Sequence, residues 1–354
     1  MSNTVLVFCT QHMPTGGIES HLREFCNRMD EAGTEIDLVI VNSAMLPETE
    51  AFYRRVCRKV YISKGSSSTK RLIALVAAGF RFLFKRYEAL YTNGQGESIY
   101  LFSKLVLRHG PWVHHHHTSG GLSDQVTWGN QYKKALITAD KVIACSTKNA
   151  ADMEIALLRD VETIPCFSRD ISGTQISEHG KLVFGYYGRL IPEKGIDILC
   201  SLSNDESLKD VEIHIWGEGN AYPASFFDDY PSLSYHGSFS GEFELSQIVG
   251  QLDAYLLIST HPEGLPIALL EVMSAGVPWL ATDKGGITDI ACDPLSTRVI
   301  SDSMNYDDIK VAIRSLADDI KAGNINRTLQ KELYIQKFAY WVLVDRWKSA
   351  LSLQ

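Results

Sequence analysis

Residues 259–278 read Ser259-Thr260-His261-Pro262-Glu263-Gly264-Leu265-Pro266-Ile267-Ala268-Leu269-Leu270-Glu271-Val272-Met273-Ser274-Ala275-Gly276-Val277-Pro278. Just before them, residues 253–258 are an apolar run of strand length. Pro266 suits the first helical position, where its fixed φ is favourable and its missing N–H is not needed. Gly276 and Pro278 then stop the helix. The order is strand, tight loop, helix, stop.

The first turn of a helix leaves backbone N–H groups unpaired, and its dipole favours negative charge. In α/β folds ligands lie beyond the carboxyl ends of the strands, so these donors would face a ligand. Glu263 and Glu271 frame them. Carboxylates beside an anion site are costly unless hydroxyl donors bind them. A ligand carrying both phosphate and hydroxyls, such as a nucleotide sugar, answers this arrangement. On spacing alone, a capping Glu and a solvated Glu on an ordinary αβ unit fit as well.

Glu263 and Glu271, eight apart around Gly264-Leu265-Pro266 and followed by Ala275-Gly276-Val277-Pro278, resemble the E-x7-E signature of retaining glycosyltransferases of family GT4. Upstream, Gly188-Arg189-Leu190-Ile191-Pro192-Glu193-Lys194-Gly195 is similar to that family's phosphate-binding segment. The two motifs stand in the family's order, about 70 residues apart. The resemblance covers most of residues 181–290 and is weaker over the first half. It implies an α/β chain of GT-B architecture, with two Rossmann-like parallel-sheet domains facing each other across a cleft. Alternating strands and helices through both halves agree with parallel sheets.

The 354 residues suffice for two domains, and 45% hydrophobic with 21% charged residues is ordinary for a soluble globular chain. No run approaches the roughly 18–20 apolar residues of a spanning helix. Residues 5–9 are too short for a signal-peptide core and lack a basic flank. The seven cysteines are scattered and show no C-x-x-C, which fits reduced thiols in a cytosolic protein and speaks against a disulfide framework or a structural zinc site. Residues 1–170 hold 20 Lys+Arg against 17 Asp+Glu, whereas residues 171–354 hold 14 against 25. An acidic second half argues against nucleic acid as a partner.

The first strand is expected over 4–9, followed by a loop with Gly16 and Gly17 and a helix over 20–29. A Gly pair between strand and helix lets backbone approach a ligand closely. It is not G-x-G-x-x-G, so a dinucleotide reading is poor. The resemblance places Gly16 and Gly17 in a loop facing the donor and the acceptor. Further strands are expected over 35–41, 59–62, 88–92, 140–145 and 161–165. Residues 69–87 carry Lys70, Arg71, Arg81, Lys85 and Arg86 within roughly 160° on a helical projection, with Ile73, Val76, Phe80, Leu83 and Phe84 on the other side. Such a helix either packs its apolar side on a sheet or lies on an anionic membrane.

Four consecutive histidines, His114 to His117, end another strand. Strand alternation sends adjacent side chains to opposite faces, so at most two converge. His117-Thr118-Ser119 is similar to the His-Thr-Ser of some GT4 enzymes, where the His contacts the transferred sugar. His115 is the alternative if the register differs by two, and a solvated or core histidine is the plainer possibility. Residues 168–180 are polar and read as a linker. The expected domains are therefore 1–170, binding the acceptor, and 171–335, binding the nucleotide sugar, with 336–354 a helix crossing back to the first.

In the second half, strands are expected over 181–187 and 211–216, the latter followed by Gly217-Glu218-Gly219. Arg189 can hold phosphate oxygens bidentately and Lys194 adds a second cation. The expected catalytic set is His117, Glu263, Arg189 and Lys194. The donor-binding set is Gly16, Gly17, Gly217, Gly264, Leu265 and Glu271. Glu263 would hold sugar hydroxyls and Glu271 the ribose. No metal and no cofactor is expected: Arg189, Lys194 and the amides at Gly264-Leu265 would stabilise the departing diphosphate, and no D-x-D occurs. Retention is what the resemblance implies.

The expected donor is a UDP- or GDP-sugar. The acceptor is a glycan or lipid-linked hydroxyl, as in surface polysaccharide synthesis. The expected location is cytoplasmic, with peripheral contact at the inner membrane face the open alternative. A nucleotide-sugar epimerase or a catalytically silent partner subunit of the same fold are the rival readings; the four charged site residues count against silence.

Overall fold

The computed structural model describes residues 3–64, 68–82, 85–177, 180–301 and 305–353. The chain divides into two compact units, Met1–Phe167 with Tyr340–Gln354, and Ser168–Ala339. Each is an α/β unit around one parallel sheet, as the alternation of elements predicts.

The first unit contains β1 (Thr4–Cys9), β2 (Glu35–Ile40), β3 (Lys59–Ile62), β4 (Ala89–Asn93), β5 (Trp112–His116), β6 (Lys141–Ala144) and β7 (Glu162–Thr163). Their order is β3-β2-β1-β4-β5-β6-β7, with every neighbour parallel. β1 shows why these apolar runs are strands: Val5, Val7 and Cys9 enter one core, Leu6 and Phe8 the other. A parallel sheet covered on both faces needs such uninterrupted apolar segments. The helix Tyr340–Ala350 completes the first of these cores with Leu343, Val344, Trp347 and Ala350. The Trp347 ring is fully buried, with centroids 5.3 Å from Phe25 and 5.1 Å from Tyr91.

The second unit contains β8 (Leu182–Tyr187), β9 (Val211–Trp216), β10 (Leu233–Tyr235), β11 (Ala254–Leu257), β12 (Trp279–Thr282) and β13 (Thr297–Ile300). The order β10-β9-β8-β11-β12-β13 is again all parallel. In both sheets the winding reverses beside the first strand, between β1 and β4 and between β8 and β11. Ligand sites of open α/β sheets lie at the carboxyl ends of such strands.

Residues 168–177 do not behave as a linker. They run along the second unit, where Ile171 N–H donates to Ser274 Oγ at 3.1 Å and Ser177 N–H to Gly250 O at 2.7 Å. Residues 178 and 179 lie outside the described residues. The first unit therefore ends at Phe167, and it resumes at Tyr340, after the helix Arg327–Lys337 has packed into the second unit through the buried Gln330, whose Nε2 donates to Val277 O at 2.8 Å.

The basic amphipathic segment forms the helix Ser68–Phe82, but its packing side is not the one expected. Ala74, Leu75, Ala78 and Phe82 are buried, while Ile73 and Phe80 are 64% and 69% exposed and Leu72 and Val76 are exposed too. Small residues decide this. A Cβ on Gly79 would sit 2.9 Å from Leu105, so the helix comes close to its neighbour Ser98–Leu105 along its small-residue side. Leu83 and Phe84 lie outside the described residues. Lys85 turns inward to Asp37 at 3.2 Å. Among the described residues no helix is long and apolar enough to cross a membrane.

Trp347→Ala removes the largest side chain that the last helix inserts, and deleting a buried aromatic costs about 3–5 kcal/mol. Guanidinium unfolding of the variant is expected to show a lowered midpoint for the first unit; an unchanged midpoint would contradict the packing.

Candidate active site

The second unit brings its sequence-singled residues to one edge of the sheet. β8 exits through Gly188 and Arg189 into the short 3-10 turn Pro192–Lys194 and the helix Ile196–Ser203. β11 exits through Ser259 and Glu263 to the helix Ile267–Ser274. That helix starts one residue later than expected, with Pro266 as its N-cap at φ −67° and ψ 107°. Gly276, at φ +76°, follows its end.

Glu263 joins these exits. Its Oε1 accepts from Lys194 Nζ at 2.6 Å and from Ser259 Oγ at 2.5 Å, and its side chain is only 15% exposed. Its carbonyl accepts from Gly286 N–H at 3.2 Å, tying in the loop after β12. Two glycines make room for these approaches. At Gly285, φ +66°, an added Cβ would lie 1.9 Å from Glu263 O; at Gly195, φ +71°, it would lie 2.0 Å from Ile258 O. Positive φ and absent space together leave glycine as the residue that fits.

Gly217 lies behind the same loop, with Leu190 N–H donating to Glu218 O at 3.0 Å and Gly188 N–H to Trp216 O at 3.1 Å. Arg189 is exposed, and its guanidinium has no hydrogen-bond or ion-pair partner among the described residues. Its carbonyl accepts from Tyr186 OH at 2.8 Å, which fixes the backbone there. Gly264 and Leu265 follow Glu263 directly at the entry to the helix.

Glu271 is almost fully buried, on the helix face turned to β8 and to residue 169. Arg169 Nε donates to its Oε1 at 2.7 Å, and Tyr187 OH to its Oε2 at 3.2 Å. Burial, and after it the Glu271 carboxylate, push the Tyr187 phenol far above its ordinary value, so it remains a donor. Sequence reasoning missed Arg169, Tyr187 and Ser259. Arg169 stood in a stretch read as linker, and nothing in its spacing tied it to a glutamate 102 residues on.

The first unit holds the other singled residues. Gly16 and Gly17 cap and open the helix Gly17–Glu31, which begins three residues before the expected start. The four histidines alternate about β5. His114 and His116 both reach Tyr132 OH, at 2.9 and 2.7 Å. His116 Nε2 also meets Asp124 Oδ2 at 2.9 Å. Burial would raise the Asp124 carboxyl, but hydrogen bonds from His116, Thr118 and Gln95 hold it well below the usual range.

His115 and His117 point to the opposite face. Both are buried, and burial pushes both below the ordinary imidazole value. His117 Nε2 lies 2.6 Å from Asn93 Oδ1, and its Nδ1 faces the sulfurs of Cys145 and Cys166 at 3.7 and 3.6 Å. His115 Nδ1 lies 3.0 Å from Tyr91 OH. Neither histidine keeps an unengaged ring nitrogen for a sugar.

Comparison with known proteins agrees with this architecture. Residues 15–167 match the family described as Glycosyltransferase Family 4, and residues 168–330 match Glycosyl transferases group 1. The chain belongs to the family 4 type of glycosyltransferases. Among curated relatives, a GDP-mannose-dependent alpha-mannosyltransferase of Mycobacterium tuberculosis is 26% identical over 165 residues, 43% of this chain and 41% of that protein. The chain spans about half or less of the length of the curated relatives it matches. Among solved structures, Anabaena Alr3699/HepE in complex with UDP-glucose has a TM-score of 0.78 at 16% identity, covering 98% of this chain and 99% of that one. The lipopolysaccharide outer core galactosyltransferase WaaB, in its apo form, has a TM-score of 0.74 at 16% identity, covering 99% of each. At such identities these two likenesses speak for the fold, which is GT-B.

Arg169→Met leaves the buried Glu271 carboxylate without its cation and is expected to cost about 3–5 kcal/mol in denaturant unfolding. The double variant Arg169→Met/Glu271→Gln should recover part of that loss. Equal losses in the single and double variants would show that the pair is not coupled.

Proposed function

We propose that the protein transfers a sugar from a nucleotide-diphosphate sugar to a hydroxyl acceptor, with retention and without a catalytic metal. One observation carries the reading. At the carboxyl ends of β8 and β11 an Arg189 unpaired among the described residues stands on the same loop as Lys194, and Lys194 is oriented by Glu263. Breaking the donor bond develops two negative charges on the diphosphate. Arg189, Lys194 and the Gly264–Leu265 amides would stabilise them, and fixed charges and dipoles aimed at developing charge are the strongest lever such a site has on rate.

A Lys194 already paired with a carboxylate is positioned and does not have to be ordered during the reaction. Glu263 keeps its second carboxylate oxygen for sugar hydroxyls. Glu271, oriented by Arg169 and Tyr187, would take the ribose hydroxyls. Gly217, directly after β9, belongs to the same donor-binding set. His117 is left out of the sugar contacts, because its Nε2 is engaged by Asn93.

Attack on the same face as the leaving group would give retention, the outcome that the E-x7-E resemblance implies. The likeness to a UDP-glucose complex supports a UDP-sugar donor, and a GDP-mannose-dependent relative keeps GDP-sugars open. The acceptor is a glycan or lipid-linked intermediate of surface polysaccharide synthesis, met at the inner membrane face. The exposed Leu72, Ile73, Val76 and Phe80, flanked by Lys70, Arg71 and Arg81, support peripheral docking.

Nucleotide sugars screened singly for hydrolysis and thermal stabilisation should yield one preferred UDP- or GDP-sugar, with rates indifferent to added magnesium or manganese. With that donor, Glu271→Gln is expected mainly to raise KM, and Arg189→Ala to lower kcat by about 10²–10³. The reverse split would contradict the roles, and metal-dependent turnover would contradict the mechanism.

For the membrane, Ile73→Ser/Phe80→Ser should abolish sedimentation with anionic vesicles, and neutralising Lys70, Arg71 and Arg81 should weaken it in low salt. Sedimentation equal to the unsubstituted protein would reject docking by this helix.

A further inference from the structure

The first unit contains a group of side chains that the proposed transfer does not use. His115 and His117 on one face at the end of β5, Cys145 directly after β6 and Cys166 after β7 converge at the carboxyl edge of the sheet. All four are buried, and their His115 Nε2, His117 Nδ1 and two Sγ atoms lie within 4.8 Å of one another. Cys145 Sγ is 3.3 Å from Cys166 Sγ, 3.3 Å from His115 Nε2 and 3.7 Å from His117 Nδ1; Cys166 Sγ is 3.6 Å from His117 Nδ1. A tetrahedral zinc ion with bonds of about 2.3 Å to sulfur and 2.0–2.1 Å to nitrogen has edges of about 3.8 Å between sulfurs and about 3.5 Å between sulfur and nitrogen.

The hydrogen bonds around the group orient both imidazoles for ligation. Phe167 N–H donates to His21 Nδ1 at 3.0 Å, which assigns the His21 proton to Nε2, and Nε2 faces Tyr91 OH at 3.0 Å. The Tyr91 hydroxyl donates to Asn93 Oδ1 at 3.1 Å and lies 3.0 Å from His115 Nδ1, which also faces His21 Nε2 at 3.2 Å. Asn93 Oδ1 also accepts from His117 Nε2–H at 2.6 Å. The His117 proton is thus assigned to Nε2, and its Nδ1 lone pair faces the sulfur pair; His115 turns Nε2 to Cys145 Sγ, and a metal bound there would hold its proton on Nδ1, toward the Tyr91 oxygen. This is the outer hydrogen-bonding pattern of metal-bound histidines, whose second N–H is held by an oxygen.

We infer that His115, His117, Cys145 and Cys166 hold one divalent zinc-class ion that is structural to the first unit. On binding, the two thiols release their protons, four metal–ligand bonds form, and the two thiolates balance the dipositive ion. The buried site then carries no net charge, which is what an apolar interior requires. Two thiolates with two imidazoles select zinc over magnesium or calcium, which prefer oxygen. With four protein ligands the site is closed, as structural zinc sites are, and keeps no position for a substrate. It pins the ends of β5 and β6 and the two-residue edge strand β7. The site is independent of the proposed sugar transfer.

The test uses the full chain purified without a metal-affinity step, from zinc-supplemented cells. Elemental analysis is expected to give about one zinc per chain, stoichiometric with folded protein as for other structural sites. Cys145→Ser/Cys166→Ser should lose it, while the control Cys200→Ser keeps it. Should the double variant fail to fold, the unsubstituted protein decides. Unfolding it in guanidinium with a zinc-binding dye should release the ion, and cobalt refolding should give a thiolate-to-cobalt charge-transfer band with the visible bands of tetrahedral cobalt.

Zinc far below one per chain, together with no cobalt spectrum, would overturn the inference. So would an intact mass two daltons light that maps to a Cys145–Cys166 disulfide, or full zinc retention in a folded Cys145→Ser/Cys166→Ser protein.

Discussion

The second unit's site hangs on one carboxylate. Glu263 takes Lys194 and Ser259 on a single oxygen, and its backbone is laced to the loop after β12. A carboxylate this enclosed needs a cation beside it, since an unpaired buried charge is among the most costly defects a fold can carry. Satisfying it draws together the exits of β8, β11 and β12, and the glycines at 195 and 285 exist where those exits come too close for a side chain. The positive end of the Ile267–Ser274 helix and the two cations of the Gly188–Gly195 loop are thereby held at one edge of one sheet. Glu271 repeats the logic one helical face away, with Arg169 and Tyr187 in place of Lys194 and Ser259.

Much of this was legible in the residues because it is local. Strands flanked by loops with Gly or Pro, and helices stopped by Gly276 and Pro278, are dictated by short-range backbone chemistry, and both parallel sheets could be expected from it. Arg189, Lys194, Glu263 and Glu271 stood out because glycine and proline surrounded them at fixed offsets. Arg169 did not, since its meaning lies in a contact across 102 residues. The same holds for Cys145 and Cys166, which meet only because three neighbouring strands end at the same level. Alternation did correctly separate the histidines into two faces, but what lay opposite each face was beyond its reach.

The Ser68–Phe82 helix shows where an amphipathic projection misleads. The projection weighs hydrophobicity and assigns the bulkiest apolar side to the interior. Here shape prevailed: Ala74, Ala78 and Gly79 allow a close helix–helix approach that Ile73 and Phe80 would prevent, and the larger side chains were left outside. Hydrophobic burial scales with area removed from water, but dense packing decides which area can be removed. An apolar surface left over in this way, bordered by cations, is suited to a lipid headgroup region.

The first unit is built from two pieces of chain separated by the whole of the second. During synthesis, residues 1–167 therefore leave the ribosome without the segment that supplies Leu343, Val344 and Trp347 to their core. At translation rates of about 5–20 residues per second, the roughly 170 intervening residues impose a wait of order ten seconds. In that interval the second unit, contiguous in the chain, can complete itself while the earlier-made one remains open on one side. The order of maturation is thus the reverse of the order of translation, and the nascent first unit is the stretch most in need of chaperone cover.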